Sequence, residues 1–120
     1  MKAFLLVSHG SRSKKLHREI KALVSTLKAR SRIPIAEYAF LDVSSPDIPS
    51  GIETCILQGA REVLVLLNFL NSGKHVDQDI PAIIKKAQEA HPGIKFSLSK
   101  PVGQHPGISD LFLKMVKEAS

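Results

Sequence analysis

A chain of 120 residues is long enough for one buried core and short of the size at which chains divide, so a single domain over residues 1–120 is expected. Its apolar runs fall short of the roughly 18 to 20 residues of a membrane span, its opening apolar stretch is too short for a secretory leader, and its single cysteine, Cys55, excludes an internal disulfide, so a cytoplasmic setting is expected. The net charge of +6 and pI near 9.7 imply an anionic partner, but one Tyr, five Phe and no Trp leave little for stacking bases, which argues against nucleic acid.

Met1–Val7 has the unbroken apolar character of a buried strand, and Ser8-His9-Gly10-Ser11-Arg12 is the turn that follows. Leu16, Ile20, Leu23, Val24 and Leu27 then recur at helical spacing with a basic outer face, and Ser11 or Ser13 can cap the helix start. Pro34–Leu41 reads as a second strand, Asp42–Asp47 as a loop with Asp47 at the N-cap. The next helix carries Ile48, Ile52, Cys55 and Ile56 inward and closes near Gly59. Glu62–Asn68 is the third strand. A turn through Gly73 and His75 leads to a helix with Asp79 and Pro81 in its first turn and Ile80, Ile83, Ile84 and Ala87 on its inner face. That helix stops at His91-Pro92-Gly93. Ile94–Leu98 is a short fourth strand, Ser99–Gly107 a loop, and Ile108, Leu111, Phe112, Met115 and Val116 mark the last helix. The β-α-β-α-β-α-β-α order predicts a four-stranded parallel sheet with helices on both faces.

In such a sheet the loops leaving the carboxyl ends of the strands share one rim, where ligands bind. His9 and His75 both fall there, with Asp42 and the loop around His105. Unperturbed imidazoles are neutral near pH 7 and can ligate a borderline metal or take a proton. Asp42 could add an oxygen ligand or orient a histidine. Two imidazoles and one carboxylate would hold an ion loosely, unlike the closed four-ligand set of a structural zinc site. The plainer alternative is that each histidine only bonds a backbone carbonyl at its turn.

Other motifs carry less. Gly10-Ser11-Arg12-Ser13 lacks the Gly-Lys-Ser/Thr ending of a phosphate-binding loop. Ser8 stands where phosphohistidine phosphatases place arginine before the histidine. Cys55 lies on the core stripe of its helix and reads as an inert thiol. His17 and His91 read as a helix-surface and a helix-end residue.

The opening Ser8-His9-Gly10-Ser11-Arg12, Phe40-Leu41-Asp42 followed by Pro46, Phe69-Leu70-x-x-Gly73-x-His75 with Asp79-Ile80-Pro81, and Gly103-x-His105-Pro106 together resemble the sirohydrochlorin chelatases of the short CbiX/SirB type. The resemblance spans almost the whole chain in order. It implies a three-layer, flavodoxin-like chelatase domain that inserts cobalt, or iron or nickel, into sirohydrochlorin on the routes to cobalamin and sirohaem. The divalent metal (Co2+, Fe2+ or Ni2+) is then a substrate, and no tightly bound cofactor is expected. By the same resemblance His9 and His75 bind metal and help remove the pyrrole protons. Asp42 stands where related enzymes commonly have glutamate, and Leu67 and Asn68 depart from the pattern before Phe-Leu. Sirohydrochlorin carries many carboxylates, so Arg12, Lys74 and Lys100 are expected to attract it, with Ser11, Ser72, Gly73 and His105 also lining the substrate. The alternative is a chelatase-like domain that binds metal or tetrapyrrole without turnover. One lobe offers one wall to a flat macrocycle, so a homodimer is expected.

Overall fold

Strands flanked on both sides by other strands and covered above and below can be apolar at every position, and the first apolar run meets that description. In the computed structural model, which describes residues 1–120, the chain runs β1 (Lys2–Ser8), α1 (Lys14–Ser31), β2 (Ile35–Phe40), α2 (Ile48–Leu57), β3 (Glu62–Leu67), a π-helical turn (His75–Asp79), α3 (Ile80–Ala90), β4 (Lys95–Pro101), a 3-10 turn (Val102–Gln104) and α4 (Gly107–Ala119). All strand pairs are parallel, in the order β2-β1-β3-β4. The three-layer α/β architecture expected from the sequence is the one found.

Alternation along β1 divides the core in two. Ala3, Leu5 and Val7 face the layer of α2 and α3, where they meet Ile52, Val63, Val65, Leu67 and Ile80. Phe4 and Leu6 face α1 and pack with Ile20, Val24 and Phe40. Local signals set the helix ends. Ser13 Oγ accepts the Leu16 N–H at 3.2 Å to cap α1, and Arg32, at φ 61°, closes it by donating to the Lys28 carbonyl. Asp47 Oδ1 accepts the Ser50 N–H at 2.9 Å to cap α2, and hydrogen bonding to Ser50 holds its carboxyl below the ordinary carboxylate range. Cys55 is fully buried, as its place on the core stripe predicts. Burial, with a smaller contribution from the Glu37 charge, pushes its thiol up to about 12.

Three elements differ from the sequence reading. First, β4 extends to Pro101 instead of ending at Leu98. The Ser99 hydroxyl accepts the Leu67 N–H at 2.9 Å where the register shifts between Val65 and Leu67, so a side chain bridges the break in the ladder. Second, α3 is preceded by the π-helical turn. Pro81 has no N–H to give the carbonyl four residues back and its ring crowds that carbonyl, so the turn before it opens, closing instead from the Ile80 N–H to the His75 carbonyl.

Third, α4 does not pack inward. None of its residues is buried, and Leu111, Phe112, Leu113, Met115 and Val116 are all exposed. The sheet is therefore covered unevenly. On β3, Val63, Val65 and Leu67 are buried against α2 and α3, whereas Leu64 and Leu66, on the α1 side, are only half-buried. No helix is long and apolar enough to cross a membrane.

Candidate metal and tetrapyrrole site

The four strands point the same way, so their carboxyl ends form one rim. From β1 the chain crosses to β2 on one side, while β3 leads to β4 on the other, so the direction of winding reverses between β1 and β3. Such a switch point opens a crevice between the two diverging loops. His9 is the first residue past β1 and His75 follows the loop after β3. Their ring centroids are 5.3 Å apart, with the planes at 73°. The two imidazoles that the sequence sets on separate strands thus meet edge to face.

His75 is held by its own helical turn. Its Nδ1 lies 2.7 Å from Asp79 Oδ2. A turn that closes at i+5 brings positions i and i+4 closer to superposition than an α-turn does, so the opening forced by Pro81 places this carboxylate under the ring. A carboxylate only accepts, so the neutral ring carries its proton on Nδ1 and keeps its lone pair on Nε2. Asp79, expected only as part of the first helical turn, is therefore a positioning residue for His75.

The His9 loop is tied to the loop after β2. Gly10, at φ 120°, approaches so closely that a Cβ there would lie 1.8 Å from the Asp42 carbonyl oxygen. The Asp42 N–H donates to the His9 carbonyl at 2.9 Å. His17, which the sequence reading leaves on the helix surface, is a clamp. It stacks on Phe40 with centroids 4.9 Å apart, and its Nε2 donates to the Ser11 carbonyl at 2.8 Å beside Ser44 Oγ at 3.1 Å. The Ser11 N–H donates to Ser44 Oγ, and the Ser11 hydroxyl accepts from the Ser13 N–H, so Ser11 ties the loop together. Only the tertiary contact reveals this role for His17. In sequence it is one polar residue on a polar face.

The Asp42 carboxylate accepts the N–H of its neighbour Val43 at 2.8 Å, a local turn in which Val43 sits at φ 67°. No three His, Cys, Asp or Glu side chains of the lobe converge to hold a metal. The two imidazoles of His9 and His75 are the site candidates that the fold brings together at the rim.

Arg12, Ser72, Gly73 and Lys74 are exposed on the rim loops, whereas Lys100, expected in a loop, is an exposed residue of β4, one short of its end, because the strand runs on to Pro101. His105 also stands at the rim, where its Nδ1 accepts the Gly107 N–H at 2.9 Å at the start of α4. The loop after β4 leans on the loop after β3: the Gly103 N–H donates to the Phe69 carbonyl at 3.0 Å, and a Cβ on Gly103 would meet the Leu70 carbonyl oxygen at 1.8 Å. Asn68 Nδ2 donates to the buried Ser8 hydroxyl at 3.0 Å, so these two residues join the ends of β1 and β3. His91, expected as a helix-end residue, pairs its Nε2 with Glu53 Oε1 at 2.9 Å and joins the end of α3 to α2.

The fold and the rim define a class: a flavodoxin-like α/β lobe with two imidazoles at its topological switch point. Residues 3–119 match the CbiX family, and the chain belongs to it. It is 37 % identical over 101 residues to the sirohydrochlorin ferrochelatase of Bacillus subtilis, a match covering 84 % of this chain and 39 % of that enzyme. Among solved structures, the sirohydrochlorin chelatase SirB from Bacillus subtilis subspecies spizizenii, in complex with cobalt, superposes with a TM-score of 0.85 at 34 % identity over 98 % of this chain and 50 % of SirB. A CbiX protein from Marinobacter aquaeolei VT8 shares the fold, with a TM-score of 0.82 at 24 % identity over 99 % of this chain and 97 % of that one. The chain thus spans half or less of the ferrochelatase and SirB.

Proposed function

We propose that this chain is a sirohydrochlorin metal chelatase, inserting cobalt(II), iron(II) or nickel(II) into sirohydrochlorin. The observation that carries the reading is the facing pair His9 and His75, 5.3 Å between centroids, with the Nε2 lone pair of His75 kept available by Asp79. The reaction exchanges two pyrrole protons for one divalent ion. It needs ligands that hold the metal loosely enough to release it and bases of near-neutral affinity to receive the protons. Two imidazoles on an open rim satisfy both requirements. The metal enters as substrate and leaves in the product. Arg12, Lys74 and Lys100 supply positive charge along the rim to orient the carboxylates of the macrocycle, with Ser11, Ser72, Gly73 and His105 in the same loops.

The imidazole pair lies outside both surface grooves of the lobe. One lobe therefore forms one wall of the tetrapyrrole cleft, and a second copy, related by a twofold axis, forms the other. The setting is the cytoplasm.

The test is the initial rate of sirohydrochlorin metallation, followed by absorbance, with each metal in turn. Acceleration over the spontaneous reaction that both His9→Ala and His75→Ala lose supports the reading; no acceleration with any metal refutes it. The turn of Asp42 toward Val43 favours a second reading, a carrier that binds without turnover. Tetrapyrrole binding without acceleration, retained in His9→Ala, would select it.

A further inference from the structure

We infer that His17 is a positioning residue for metallation, fixing the place of His9 through the Ser11 carbonyl as Asp79 fixes that of His75. The inference rests on the proposed function, because that reading gives His9 its part in the reaction.

The two imidazoles are held by different means. The His75 ring has a partner of its own, Asp79 Oδ2, 2.7 Å from its Nδ1. The His9 ring is exposed and its nitrogens make no hydrogen bond within the lobe, so it takes its place from the backbone that carries it. On the strand side that backbone is fixed by the Leu41 N–H on the Ser8 carbonyl and the Asp42 N–H on the His9 carbonyl, each at 2.9 Å. On the other side comes Gly10, at φ 120°, a residue with wide backbone freedom. A loop with such a pivot beside its imidazole holds still only if it is tied again further on.

That second tie is at Ser11, two residues past His9. Its carbonyl lies 2.8 Å from His17 Nε2, and a carbonyl only accepts, so the ring carries a proton on Nε2. The Ser44 hydroxyl closes the arrangement: it donates to the same carbonyl, accepts the Ser11 N–H at 2.9 Å and stands 3.1 Å from His17 Nε2. The His17 ring is itself anchored. It stacks on the fully buried Phe40, with centroids 4.9 Å apart and planes at 19°, and its own N–H donates to the Ser13 carbonyl at 3.2 Å in the first turn of α1. His17 thus ties the His9 loop to the aromatic part of the core. Packing alone would need only the stack; the aim of Nε2 at a carbonyl two residues from a site imidazole is what assigns His17 to His9. Misplacing a reacting group by about 1 Å can cost about 100-fold in rate.

Two substitutions separate the bond from the stack. His17→Phe keeps a ring on Phe40 and removes the donor, whereas His17→Gln places an amide N–H where Nε2 stood and gives up the stack. His17→Phe is expected to lower kcat for sirohydrochlorin metallation by about 10- to 100-fold, with KM for the macrocycle and the circular dichroism spectrum unchanged, and His17→Gln to keep most of the wild-type rate. Ser44→Ala, which loosens the same tie from its other end, should lower kcat as well. In the NMR spectrum of the metal-free protein, the imidazole signals of His9 should move in His17→Phe while those of His75 stay. A His17→Phe chain with wild-type kcat, a His17→Gln chain as slow as His17→Phe, or His9 signals that His17→Phe leaves in place overturns the inference. So does a fall in kcat that tracks a loss of folded protein, the mark of a merely structural residue. Should the wild-type chain accelerate no metal, the chelatase reading falls on that result alone, and the His9 signals still decide whether His17 places the ring.

Discussion

Replacing Asp79 separates positioning from stability. Its carboxylate is 2.7 Å from His75 Nδ1, and the side chains are 36 % and 51 % exposed. A pair this open contributes no more than about 1 kcal/mol to folding, because solvent screens it. The same bond sets which ring nitrogen is protonated and holds the ring beside His9. Removing a carboxylate that orients a ligating histidine typically costs about 10- to 100-fold in metal affinity or activity. Asp79→Ala is therefore expected to slow sirohydrochlorin metallation by about 10- to 100-fold while the urea midpoint moves little. Asp79→Asn should fall between, since the amide oxygen still accepts from Nδ1 without the charge. In a His75→Ala background the Asp79 substitution should have no further effect, because the group it positions is gone. Initial rates by absorbance and urea titration of the same preparations give both quantities. An Asp79→Ala chain with wild-type rate, or one whose loss persists in full in the His75→Ala background, would refute the reasoning.

Gly10→Ala adds a Cβ at φ 120° and 1.8 Å from a backbone oxygen; the His9 and Asp42 loops must part, and a loss of more than about 1 kcal/mol of stability, measured by chemical denaturation, should accompany loss of metallation. Asp47→Ala removes the α2 cap and should cost about 1 kcal/mol at neutral pH. Because hydrogen bonding from Ser50 lowers the Asp47 pKa in the fold, that contribution is present above the unfolded-state value and is lost as pH falls through the lower folded value. The gap between wild type and Asp47→Ala should therefore narrow on acidification below about pH 4. Cys55, with its thiol raised to about 12, should resist a thiol reagent in the native state and react once in denaturant. As pH rises beyond the unfolded thiol value, the unfolded chain ionises first, so stability should decline up to the folded value.

The strand and helix order was legible because buried parallel strands are short unbroken apolar runs and each is followed by a helical stripe. His9 and His75 were legible for the same reason: once a strand end is located, the next residue is on the rim. What escaped the sequence depends on contacts between distant segments. The π-helical turn arises from an N–H that Pro81 lacks, and its effect appears only where Asp79 meets His75. His17 is set apart from other helix-surface residues only by Phe40 and Ser44, which lie far along the chain. The α4 stripe showed that a face seeks cover, yet periodicity is silent on whether that cover comes from the same lobe. Asp42 has a side chain that can also close its own turn, and sequence spacing does not choose between these uses.

The ties among the rim loops divide the lobe into two jaws. One is built from the loops after β1 and β2, locked through Gly10, Ser44 and His17, and carries His9. The other is built from the loops after β3 and β4, locked at Gly103, and carries His75. The Asn68–Ser8 hydrogen bond is a pin between them. Each jaw thus carries one imidazole on its own set of ties, so the separation of the two rings is fixed by how the jaws sit on the shared sheet and not by either loop alone.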